Sequence, residues 1–347
     1  MVDGTQHRRG GPTGYTQADG LGRLCLWSIA LGMLLSSGLL PSGTEAAERA
    51  HPRRIGALTD SWGPTPHMAG LRDGLVALGY REREDFVIGV RFTQGNHARL
   101  PAAAHDLVRN GVDLLFVTSA LPAQAAQRAT TQIPIVFAWV EDPVGLGLVQ
   151  SYAQPGGNIT GVTNVTMELA AKRLELFRDL VPGLHRVLYP YDATHAPSVA
   201  LAHRYREAAR HLGLDLVEKP VQTEAEVQAL LAQVREQKID GIVQPSSVSL
   251  NIPGFIMEAT AALALPTMFE SVYFVEHGGL ASYSPDDYAS GWQAARLVDK
   301  ILKGTAPREI PVEVSTKLKF VINLKTAKAL GLTIPPHILF LADEVIR

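Results

Sequence analysis

From Arg54 to the carboxyl end, short apolar runs alternate with longer stretches of helical spacing, and this alternation restricts the chain to βαβ units that build parallel sheets. Ile55-Gly56-Ala57-Leu58 reads as the first strand; Leu71, Leu75 and Leu78 follow at helical spacing, and Gly79 ends that helix. Strand 86–92, helix 102–109, strand 112–117, helix 123–129 and strand 133–139 continue the series. The turn-forming cluster Pro155-Gly156-Gly157-Asn158 then interrupts it. The pattern restarts with helix 169–180, strand 187–191, helix 199–212, strand 214–218, helix 225–237 and strand 241–244. With 347 residues, 46% of them hydrophobic, the chain is long enough for two cores. The expected fold class is α/β, with two doubly wound, Rossmann-like lobes. Spacing alone does not say which lobe receives helix 292–302 and the tail 320–347, and a simple two-domain chain is the alternative.

The amino terminus is different in kind. His7-Arg8-Arg9 and Arg23 precede the apolar run Leu24 to Leu40, followed by Pro41-Ser42-Gly43 and the small residues Ala46-Ala47. That order predicts a secretory signal peptide over 1–47. A retained anchor is the competing reading, because the run approaches the lower limit of about 17 residues for a spanning helix. The single cysteine, Cys25, lies within this leader. Cleavage would leave a chain without thiols, which excludes a disulfide framework, a Cys-ligated metal and a cysteine nucleophile. Lys and Arg number 32 against 34 Asp and Glu, a formal net charge of −2, so the basic excess that drives nucleic-acid binding is missing.

Several segments resemble the ABC transporter substrate-binding family whose members include tryptophan- and phenylalanine-binding proteins. They are Arg54-Ile55-Gly56, Gly74 to Tyr80, Ile133-Pro134-Ile135-Val136, Asp142-Pro143-Val144-Gly145, Pro155 to Gly161, Lys172 to Leu176 and Val321 to Leu332. The resemblance implies a type I periplasmic-binding fold with the ligand cleft between its lobes and chain crossings near Gly161 and Tyr283. On that reading lobe 1 comprises 54–160 plus 285–347 and lobe 2 comprises 161–284. With the leader, it places the chain in the periplasm or on the extracytoplasmic face, expected to be a monomer without cofactor or metal that captures a small molecule and meets the membrane only through an ABC transporter permease.

In open α/β sheets ligands bind beyond the carboxyl ends of the strands, so the residues that follow each strand are the candidates. On the first lobe these are Thr59, Asp60, Ser61, Trp62, Thr118, Ser119, Glu141 and Asp142; on the second they are Tyr191, Asp192, Ser246, Ser247, Glu270 and Tyr283. Ser119 stands at a helix start, which suits a ligand carboxylate or equally an ordinary N-cap. Glu141 and Asp142 suit an ammonium, although Asp before Pro also forms turns. Glu141 departs from the smaller residue usual in the resembled family. Trp62 and the tyrosines suit an apolar group, so a zwitterion with an apolar or aromatic side chain is the expected ligand.

Enzyme markers are missing: no Gly-x-Gly-x-x-Gly follows the first strand, no phosphate loop or Gly-x-Ser-x-Gly elbow occurs, and the 11 histidines form no His-x-x-x-His pair. A ligand sensor feeding a signalling partner or regulator is the alternative of another class. A regulator would carry a helix-turn-helix ahead of the first lobe, where this chain has its apolar leader.

Overall fold

The computed structural model describes residues 51–194, 196–245 and 261–347. The leader 1–47 and the candidate hydroxyls Ser246 and Ser247 lie outside the described residues. The chain first lays down β1 (Arg53–Thr59), α1 (Pro66–Ala77), β2 (Phe86–Phe92), α2 (Leu100–Arg109), β3 (Leu114–Val117), α3 (Ala120–Ala129), β4 (Ile135–Val140) and β5 (Ile159–Thr163). It continues with α4 (Ala170–Leu180), β6 (Arg186–Asp192), α5 (Ala196–Leu212), β7 (Asp215–Val221), α6 (Glu224–Ala232), β8 (Gly241–Gln244), β9 (Thr267–Phe269), α7 (Val272–Glu276) and β10 (Ala281–Pro285). α8 (Asp287–Leu302), β11 (Glu313–Val314), β12 (Leu318–Asn323), α9 (Leu324–Ala329), α10 (Pro336–Leu341) and β13 (Glu344–Ile346) complete it.

Two sheets result, in the orders β11-β5-β4-β3-β1-β2 and β13-β12-β10-β9-β8-β6-β7. Each central strand is apolar on both faces because helices cover both faces. Ile55, Ala57, Leu114, Phe116, Val136 and Ala138 pack with α1 and α8, while Leu58, Leu115, Val117, Ile135 and Phe137 pack with α2 and α3. This two-residue alternation is the doubly wound arrangement. In the second sheet Val187, Tyr189, Val243 and Met268 face α4 and α5, whereas Leu188 and Ile242 face α6.

The lobe boundaries differ from those expected. Gly161 is no crossing: it sits inside β5, paired with Phe137, where a Cβ would lie 2.2 Å from the Phe137 carbonyl oxygen. The first crossing follows Thr163, and the second follows Pro285 rather than Tyr283, which is paired with Phe320 inside β10. After α8 packs on α1 and β11 pairs with β5, the chain crosses again at Ser315–Lys317. The expectation that the tail 320–347 joins the first lobe is therefore corrected. β12 runs antiparallel to β10, from Ala281↔Ile322 to Pro285↔Leu318, and β13 lies parallel to β12. The reason is burial: Phe320, Ile322, Ile334 and Ile338 belong to the same core cluster as Leu174, Phe177 and Tyr205.

The three connections are tied to one another. Ser315 N–H donates to the Thr163 carbonyl at 2.8 Å and Asp286 N–H to the Lys317 carbonyl at 2.9 Å. Ser290 Oγ lies 3.0 Å from both the Asp286 carbonyl oxygen and Ser315 Oγ.

Candidate functional site

The carboxyl ends of β1 and β3 bring four hydroxyls and one carboxylate together. Thr118 Oγ1 donates to Thr59 Oγ1 at 2.9 Å, Thr59 Oγ1 to Ser61 Oγ at 3.0 Å, and Ser61 Oγ to the Gly63 carbonyl at 2.6 Å. Ser119 occupies the N-cap position of α3 but makes no capping bond; its hydroxyl donates instead to Asp60 Oδ1 at 3.1 Å. Asp60 is buried, and burial pushes its carboxyl up despite His97, whose Nε2 lies 3.9 Å from Oδ2. Trp62 stands on the rim with 53% of its surface exposed.

At the end of β4 the two adjacent acids separate. Asp142 is exposed and turned onto its own loop, where Oδ1 accepts the Gly145 N–H at 2.8 Å. Of the two readings of Asp142, the turn is the one its bonds serve. Glu141 is part-buried, and its carboxyl is pushed up to about 7, chiefly by loss of solvent and next by the Glu270 carboxylate, with Arg173 opposing both. Glu141 directly follows the first-lobe strand β4, while Glu270 and Arg173 belong to the second lobe. Their mutual influence therefore spans the crevice.

On the second lobe Glu270 follows β9 and is buried. Its Oε1 accepts from Tyr205 Oη at 2.8 Å and from Arg173 Nη1 at 3.4 Å. Tyr205 packs on Tyr189 with ring centroids 4.4 Å apart, and Tyr189 in turn stacks on the part-buried Tyr191 at 6.3 Å. Burial raises both the Tyr189 and Tyr205 phenols well above the usual range, so both stay neutral. Asp192 closes a local turn, accepting the Thr194 N–H and hydroxyl at 2.8 and 2.7 Å. Tyr283 is part-buried and meets Phe320 edge-on.

Position after a strand did not point to Arg173, Tyr205 or Trp139. Arg173 has a legible signal: it lies three residues after Ala170 and four before Phe177, on the apolar stripe of α4. Trp139 has none, since the backbone bulge between Ala138 and Val140 that gives it a φ of 65° leaves no mark in the apolar pattern. Its indole packs near His67, with ring centroids 6.1 Å apart, and its buried Nε1 has no hydrogen-bond partner among the described residues.

A family model described as ABC transporter substrate binding protein matches residues 63–346. The chain belongs to that family. This substrate-binding protein is 28% identical over 264 residues to the tyrosine-binding protein of Clostridioides difficile (strain R20291), covering 76% of each chain. It is 29% identical to the ABC domain from Streptococcus pneumonia solved in complex with L-Trp, covering 85% of this chain and 100% of that one at a TM-score of 0.76. A Clostridium difficile substrate-binding protein with adhesive properties, solved ligand-free and open, is 26% identical, with 85% and 99% covered at a TM-score of 0.62. Proteins of this family bind substrates for ABC transporters outside the cytoplasm. Among the described residues no helix is long and apolar enough to cross a membrane.

Proposed function

We propose that this protein captures a free amino acid with an aromatic or apolar side chain between its lobes and delivers it to the permease of an ABC transporter, after export by way of a cleaved leader. The observation that carries this reading is the charge balance of the crevice. Glu141 from one lobe and Glu270 from the other both act on the buried guanidinium of Arg173, and the two carboxylates repel each other. An ammonium arriving beside Glu141 favours its ionised form and draws off the proton that Glu141 otherwise holds near neutrality. Tyr191 and Tyr283, part-buried beside this cluster, offer apolar rings with polar tips. The relatives that bind tyrosine and L-Trp support the same class.

A thermal-shift panel of amino acids, sugars, nucleosides and short peptides tests it. A ligand at a hundredfold its Kd stabilises the native state by about 2.7 kcal/mol, enough to move the melting midpoint by several degrees. L-tryptophan, L-tyrosine and L-phenylalanine are expected to give that shift, more strongly at pH 8 than at pH 5. A response confined to sugars or nucleosides overturns the assignment.

A further inference from the structure

Arg173 is fully buried, and its guanidinium bonds to backbone beside two of the three crossings, at Thr166 and Tyr283. Nε–H donates to the Tyr283 carbonyl at 2.6 Å, and Nη1–H reaches the Thr166 carbonyl at 3.4 Å, Tyr205 Oη at 3.1 Å and Glu270 Oε1 at 3.4 Å. Thr166 begins the second lobe directly after the first crossing, and Tyr283 lies two residues ahead of the second. The Tyr283 carbonyl needs such a donor because β9 ends at Phe269, whose partner on β10 is Ser282, so the β9 ladder stops one residue short of Tyr283. Glu270 stands where that ladder stops. A buried guanidinium is a costly filler, and its desolvation is offset only through bonds that hold it in one geometry. Here those bonds join a crevice carboxylate to the backbone at Thr166 and Tyr283, beside two of the three crossings.

We infer that Arg173 is a positioning residue that couples occupancy of the crevice at Glu270 and Glu141 to the backbone at Thr166 and Tyr283, beside two of the three interlobe crossings. This rests on the reading that the ligand is held between the lobes. A ligand ammonium that draws on Glu141 and Glu270 changes the share of the carboxylates' charge that Arg173 balances. Arg173 transmits that change to two carbonyls, one three residues after the first crossing and one two residues before the second. The Tyr205 hydroxyl, bonded to both Arg173 and Glu270, keeps the pair in register.

The test compares the full chain with Arg173→Lys, which keeps the charge but loses the planar fork, and with Tyr205→Phe, which keeps the ring but removes the link. Calorimetric titration with L-tryptophan and L-tyrosine is combined with small-angle scattering, with and without ligand, and with thermal melts. Folded Arg173→Lys is expected to bind about 10-fold more weakly, and Tyr205→Phe to shift in the same direction. Both are expected to change the radius of gyration of the ligand-free protein or its compaction on binding. A lowered melting midpoint with wild-type affinity and scattering reduces Arg173 to a packing residue and overturns the inference. If Arg173→Lys fails to fold, Tyr205→Phe decides by the same readings. If the wild type binds neither amino acid, the ligand assignment fails. Ligand-free scattering of the variants then decides on Arg173: a changed radius of gyration supports the coupling, and an unchanged one overturns it.

Discussion

Glu141 shows how one side chain can set the response of the protein to pH. Its carboxyl titrates at about 7 in the folded chain against an ordinary 4.5, because burial and the Glu270 carboxylate both oppose its ionisation. The folded state therefore holds a proton that the unfolded chain releases earlier. Stability is unaffected by this group below pH 4.5, falls as pH rises from 4.5 to 7, and is flat above that, with a total penalty of up to about 3 kcal/mol. Glu141→Gln is expected to match the wild type at pH 4 and to exceed it in urea unfolding at pH 8 by up to that amount, while losing affinity for an amine ligand. Parallel stability curves for the two proteins would remove Glu141 from the buried cluster. The position of Glu141 after a strand made it legible in the sequence, whereas its separation from Asp142 was not. That separation comes from the turn in which Gly145 N–H takes up Asp142, and a Cβ on Gly145 would lie 2.1 Å from the Asp142 carboxylate. Trp139 was hidden for a similar reason: a backbone bulge, not residue type, directs it.

Among the elements, the pair α1 and α8 packs so closely that backbone meets backbone. A Cβ on Gly70 would lie 2.0 Å from the Tyr288 carbonyl oxygen, and one on Gly291 would lie 2.0 Å from that of His67. Glycines in mid-helix cost helical stability, so their presence in helical patterns is a sequence signal of close approach, though not of its partner. Gly70→Ala and Gly291→Ala are each expected to lower stability by about 3 kcal/mol through forced separation of the helices, with Gly63→Ala, which meets nothing within 4 Å, as the neutral control. Chemical denaturation of the three variants checks this, and wild-type midpoints for Gly70→Ala would show that the helices part without cost. The longer helices and the central strands were readable from periodicity in both lobes, whereas β5, α7 and the two-residue β11 were not, being too short or too close to the Pro155–Asn158 turn to show a period. The partner of β12 was not, because an antiparallel pairing with β10 depends on a register that apolar spacing does not encode.

For the whole molecule the consequence is that the second lobe is completed by the end of the chain. The carboxyl-terminal strands close its sheet, and Phe320 and Ile322 fill a core that also holds residues more than a hundred positions earlier, such as Leu174 and Tyr205. The first lobe owes the tail nothing comparable, since its core clusters contain no residue beyond Val312. Damage at Phe320 should therefore stay within one lobe. Phe320→Ala removes a side chain that is 1% exposed and sits edge-on to Tyr283, at a cost of about 3–5 kcal/mol. Native-state hydrogen exchange is expected to show faster exchange in β6, β8, β10 and β12, with β1, β3 and β4 keeping wild-type protection, because each lobe has its own sheet and core clusters and can open locally. Because Tyr283 is also the carbonyl that Arg173 holds, the same variant is expected to weaken ligand binding more than its distance from Glu141 suggests. Equal loss of protection in both sheets would mean that the lobes unfold as one unit, and faster exchange confined to β1–β4 would return the tail to the first lobe.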